Sequence, residues 1–190
     1  MEQIKFRFSF KKALQATAWL LRLAGGRMPY LKLLKLLYIA EREFLVEESE
    51  MIFGDRVVAM KYGPVLSNVY RLIKNAGVPG NPLGQFVRRS HDYSVELTHD
   101  PGSDHLCRAE TNKLDDVFRR FGHIDRFLAV KMTHDFPEWA NNFDTNSTRG
   151  MFPISVEDIL AGQNKTELID KVRERQAEIE WHEKMFGAQS

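Results

Sequence analysis

Polar and apolar positions change rhythm several times along this chain, and each change marks an element. Residues 4–10, IKFRFSF, place Ile4, Phe6, Phe8 and Phe10 on one side and Lys5, Arg7 and Ser9 on the other. A period of two predicts an extended segment with one buried face. From Phe10 the period becomes helical through Ala13, Leu14, Thr17, Leu20, Leu21 and Ala24, and Gly25-Gly26 supplies the stop. Pro29 suits the first position of a second helix, having no N–H to leave unpaired there. That helix is apolar nearly all round from Tyr30 to Ala40, the pattern of a central core helix, and turns polar at Glu41-Arg42-Glu43.

Beyond a turn at Gly54-Asp55, the run VVAMKY (57–62) reads as a short strand. Val65, Val69, Leu72, Ile73 and Ala76 then follow helical spacing. The strand therefore ends at Gly63-Pro64 and a helix begins at once, with Pro64 opening it and Gly63 allowing the tight turn. Two readings of this join stand side by side. It is a piece of folding grammar, or the free N–H groups of the helix start, with Lys61 nearby, hold an anion.

Gly77 to Gly84 is a loop without the G-K-[ST] ending of a phosphate motif. FVRRS and YSVEL, on either side of His91-Asp92, form a hairpin, and Asp100-Pro101-Gly102 a turn. Helices return after Thr111, with Leu114, Val117, Phe118 and Phe121 on one buried face and Ile124, Phe127, Leu128 and Met132 on another. Asn141 to Gly150 is a polar loop, and Ser155 with Asp158 resembles a helix start. Lys165 to Lys184 is highly charged with a thin stripe of Leu168, Val172 and Ile179, a long exposed terminal helix. The expected class is mainly α (α+β): a compact helical domain over 1–160 with a small antiparallel sheet or hairpin, and a charged C-terminal helix over 161–190.

Composition adds boundaries to this picture. A chain of 190 residues fits one well-filled core, and 43% hydrophobic with 28% charged residues is ordinary for a globular protein. The formal net charge of +1 gives no global field for nucleic acid or anionic membrane. Charge is segregated locally. Lys5, Arg7, Lys11, Lys12, Arg22, Arg27, Lys32 and Lys35 face only Glu2 within residues 1–40, whereas Glu41, Glu43, Glu47, Glu48 and Glu50 face Arg42 within 41–50. Solvated, complementary helix faces account for this. One cysteine, Cys107, precludes an internal disulfide and suits a reducing cytosol. No secretory leader or membrane-spanning run is legible, so the expected location is cytoplasmic.

The search for chemistry is largely negative. His99, His105, Cys107, His123 and His134 lack the paired spacing of a zinc site, and no nucleophile elbow is present, so no metal, cofactor or catalytic residue is expected. Cys107 reads as a small buried side chain, and the glutamates of 41–50 as a solvated acidic helix end. The doublets Lys11-Lys12, Arg88-Arg89 and Arg119-Arg120 could meet phosphates, but each sits in an amphipathic context without a recognition motif; nucleic acid is not the expected partner.

KLLKLLYIAERE (32–43), followed about twenty residues later by AMKYGPVLSNVY (59–70), resembles the Panacea or SocA-like antitoxin domain. The matching residues are Lys32, Leu33, Lys35, Leu36, Leu37 and Tyr38, then Ala59, Tyr62, Gly63, Pro64, Val65 and Tyr70. THDFPEWANN (133–142) is similar to the family's later His…Pro-Trp segment, and the resemblance runs from about Phe10 to Leu160. Leu34 and Met60 depart from the polar and aromatic residues common at those places. The resemblance implies a prokaryotic, non-enzymatic antitoxin that neutralises a co-encoded protein toxin by direct binding, in bacterial or phage toxin–antitoxin pairs and so in a setting of phage defence. Its alternative is a proteolytic adaptor that delivers the toxin to a cytosolic protease. A homo-oligomer is left open. Toxin contacts are expected from Phe6 and Phe8, whose extended segment a toxin strand could pair with, and from Tyr38, Lys61, Tyr62, Gly63, Pro64, Tyr70 and Trp139, as aromatic-rich binding surfaces often are.

Overall fold

The computed structural model describes residues 3–148 and 150–186; Glu2, Arg149 of the polar loop and residues 187–190 of the expected terminal segment lie outside the described residues. Helix α1 (Phe10–Leu23) starts where Ser9 Oγ accepts from the Lys12 N–H, and it ends at Gly25 and Gly26, both at positive φ. Helix α2 (Tyr30–Glu48) is the core of the fold, buried without interruption from Leu33 to Glu41 and packed against α1, α4 (Arg108–Phe121) and α5 (Arg126–His134). The charged residues that close it make a further turn and a half of helix, stopping at Ser49 in the left-handed conformation.

Two three-stranded antiparallel sheets flank the helices. Strands β1 (Arg27–Pro29), β4 (Val87–Arg89) and β5 (Ser94–Leu97) lie in the order β1-β5-β4, which contains the hairpin expected around His91-Asp92. Strands β2 (Val57–Met60), β3 (Gly63–Leu66) and β6 (Phe152–Ile154) lie in the order β3-β2-β6. Helices α3 (Ser67–Lys74), α6 (Pro137–Asn142), α7 (Val156–Gly162) and α8 (Ile169–Phe186) complete the fold. The class is mainly α with small antiparallel sheets and a long C-terminal helix, as the sequence predicts. Ser155 and Asp158 form a reciprocal capping box at α7, each side chain accepting the other's N–H at 2.9 Å.

Several expectations are corrected. Residues 3–9 alternate in burial, with Ile4 buried and Phe6 and Phe8 half-buried, yet they join neither sheet. Pro29 ends β1 and flanks α2 instead of opening it. Pro64 lies in β3, opposite Ala59, and the helix begins only at Ser67. The reason is that β3 is an edge strand, where a missing N–H costs nothing. The predicted face Phe127/Leu128 is 68% and 48% exposed; α5 buries Ala129, Val130 and Thr133, small enough for α2 and β3 to come close. Cys107 is exposed just before α4.

The acidic helix end is also more than a solvated face. Glu41 is buried and accepts the N–H groups of Ile52 (2.5 Å) and Phe53 (3.0 Å), and burial pushes its carboxyl up to about 8. Glu43 and Glu47 pair with Lys113 of α4. No helix of the described residues is long and apolar enough to cross a membrane.

Candidate functional site

The stretch AMKYGPVL forms a tight hairpin, with Met60 opposite Gly63 and Lys61-Tyr62 at the tip. Gly63 carries the left-handed step at φ +90°. A Cβ there would come within 2.7 Å of Thr133 Oγ1 and 2.8 Å of Lys35 Nζ, so both backbone and space require glycine.

Three carbonyl groups of this hairpin are held by side chains from distant parts of the chain. Lys35 reaches up from α2, fully buried, and donates to the Pro64 carbonyl at 2.7 Å. Burial lowers its ammonium to about 7. Trp139 Nε1 donates to the Met60 carbonyl at 2.9 Å. The His134 ring hydrogen-bonds the Lys61 backbone, and burial, then Lys35, lower its affinity for a proton. His134 stacks on Trp139 with centroids 4.0 Å apart and planes 6° apart, Trp139 stacks on Phe143 at 5.0 Å, and Phe152 of β6 meets Phe143 edge-on at 5.8 Å. His134 Nε2 is buried without a hydrogen-bond partner among the described residues.

One turn further along α2 a second polar knot joins the same helices. Tyr38 Oη donates to Glu138 Oε1 at 2.7 Å, and Arg42 grips the same carboxylate through Nε at 2.5 Å and Nη2 at 3.3 Å. The Arg42 guanidinium also lies 4.2 Å above the Phe136 ring. Burial and then the Glu138 charge push the Tyr38 phenol well above its usual value. Lys35, Tyr38 and Arg42 thus line one side of α2 at helical spacing and fasten it to the hairpin and α6.

The helix after the hairpin has no vacancy for an anion. Asp55, in the turn before β2, accepts the N–H groups of Asn68 (3.1 Å) and Val69 (2.9 Å). The protein's own carboxylate already sits where the anion reading put a ligand, and the join is folding grammar.

The residues expected at the interface divide by burial. Tyr38, Gly63 and Pro64 are buried, Lys61 and Tyr62 project at the hairpin tip with Tyr62 57% exposed, and Phe6, Phe8, Tyr70 and Trp139 are half-buried. Phe8 packs edge-on against Phe53 at 6.5 Å. Phe6 and Tyr70 meet across a groove of about 670 Å³ that also takes in Arg56, Val58, Arg71 and Met151. Sequence reasoning assigned no role to Lys35, Arg42, Thr133, His134 or Glu138. A lysine among leucines was the visible signal for Lys35; Arg42 and Glu138 meet across 96 residues of chain, and no local pattern marks that pairing.

The fold is thus a helical domain whose polar core residues hold one hairpin. The family model described as the SocA-like antitoxin, Panacea domain, matches residues 33–140, more than half of the chain, and the protein belongs to that family. The matched stretch takes in 59–70 and all but the outermost residues of 32–43 and 133–142, and these are the segments that meet at the hairpin. Neither a curated protein nor a solved structure matches the chain.

Proposed function

We propose that this protein is an antitoxin that neutralises a co-encoded protein toxin by direct, stoichiometric binding in the cytoplasm, without turnover. The observation that carries the reading is the convergence of the three family segments on the β2–β3 hairpin. Their polar groups are spent inside the protein, on backbone carbonyls and on one another, so the buried knot acts as a support. What it presents outward is the hairpin tip, Lys61-Tyr62, and half-buried aromatic side chains nearby, the materials of a binding surface.

The reading is tested by expressing the product of the neighbouring reading frame with and without this chain, then scoring growth and co-purification. Growth arrest relieved by the chain, with a stable complex recovered, is the expected result. Relief without a complex, lost in a protease-deficient host, would replace occlusion with adaptor-driven degradation. A neighbour that is harmless and does not bind sinks the proposal.

A further inference from the structure

The groove beside α3 has the chemistry of a peptide site. One wall is the extended segment 3–6, and the opposite wall is α3 with the outer residues of β2 and β6. Its floor and sides are apolar, among them Ile4, Phe6, Val58, Tyr70 and Pro153, with Met151 47% exposed at the rim. Four exposed cations line it: Lys5, Arg56, Arg71 and Lys74. None of the four has a carboxylate within ion-pair distance among the described residues; single exposed cations such as Lys11, Arg108 and Lys131 share that state, but in the groove four of them line one apolar trough. The carboxylate lining the groove, Asp55, is consumed by the start of α3.

The extended wall adds a second feature. Segment 3–6 is held by Ile4 N–H donating to Glu157 Oε1 and by Gln176 Nε2 donating to the Lys5 carbonyl. The N–H of Lys5 and both backbone groups of Phe6 have no partner among the described residues. An extended backbone with unpaired groups beside an apolar trough is the template for strand addition.

We propose that this groove is the toxin-binding site and that it takes an extended toxin segment carrying apolar side chains and carboxylates. The apolar side chains fill the trough, the carboxylates meet Arg56, Arg71 and Lys74, and the segment's backbone pairs with the N–H and carbonyl of Phe6. The proposal rests on the antitoxin reading above and moves the main contact from the hairpin tip, which does not line the groove, to the groove itself.

The test uses the full chain and the product of the neighbouring reading frame. Arg71→Glu/Lys74→Glu reverses two exposed charges, and Arg119→Glu reverses one on α4 as a control; thermal melts establish that each remains folded. The expected result is that wild type and the control rescue growth, while the double variant binds at least about tenfold more weakly and fails to rescue. A benzophenone amino acid at Met151 should then cross-link an acidic, apolar toxin peptide. Rescue and tight binding by the double variant would overturn the groove and leave the antitoxin reading standing. Failure of wild type itself to bind or rescue overturns both. Loss of a self-dimer in the double variant, with toxin binding intact, would assign the groove to a second copy of this chain and also overturn the proposal.

Discussion

Lys35 shows how much one side chain can be asked to do. Full burial of its amino group is tolerable because the Pro64 carbonyl accepts a hydrogen bond from it and because its pKa falls to about 7. The stability consequence follows by linkage. Between about 7 and the ordinary 10.5 the unfolded chain binds a proton that the folded chain does not, so stability rises with pH across that window and the penalty is full below it. Glu41 opposes this up to and through about 8, the midpoint at which its raised carboxyl ionises, and Tyr38 opposes it only in strongly alkaline solution. Urea denaturation of wild type and Lys35→Met at two pH values between about 8 and 9.5 isolates Lys35, because Glu41 titrates alike in both proteins. Wild type should gain up to ~1.4 kcal/mol per pH unit, the limit for one proton. Lys35→Met should lack that gain and keep only the falling contribution of Glu41 near 8, and a parallel slope in both proteins would refute the assignment.

The hairpin is the element on which the family segments converge, and Gly63 is where its geometry is least forgiving. A methyl group there must enter at positive φ and displace both Thr133 and Lys35. Gly63→Ala should cost about 2–4 kcal/mol, from backbone strain and from disruption of the buried lysine contact. Equilibrium unfolding reads the cost, and a variant within 0.5 kcal/mol (about the scatter for neutral surface changes) would show that the hairpin relaxes freely. The sequence identified this hairpin's first strand and its glycine, and it identified the neighbouring Ser155/Asp158 cap, because these are written in adjacent residues. It misplaced the helix start by three residues. Pro64 satisfies an edge strand as readily as a first helical turn, and only the pairing of Pro64 with Ala59 separates the two.

At the scale of the whole molecule, the first described segment packs against the last two helices. Segment 3–9 lies across Met51–Gly54, where Gly54 at φ +66° leaves just enough room for Phe6 and Arg7, and Ser9 N–H donates to the Phe53 carbonyl at 2.9 Å. It then meets α7 through Glu157 and α8 through Gln176. Helix α8 buries Val172 and pairs Arg175 with Glu50. Ile4 is 4% exposed at this junction, so Ile4→Ala should lower stability by roughly 2–3 kcal/mol. Lys5→Ala, one residue away and facing solvent, should be near neutral. A reduced urea midpoint for the first variant alone is the expected pattern; equal effects would mean that the segment is not seated as described.

By itself, the sequence determined the class, the central helix, the terminal helix, the alternating first segment and the family. Those properties reside in local periodicity and in short runs of residues, which are preserved without knowledge of what they touch. Only the tertiary structure decided that Lys35 and Glu41 are core residues, that Phe127 and Leu128 are not, and that His134, Trp139 and Lys35 share one hairpin. A charged residue on a helix looks the same in sequence whether it faces water or a buried carbonyl. Its cost is settled by a partner supplied from elsewhere in the chain, and such partners are brought together only by folding.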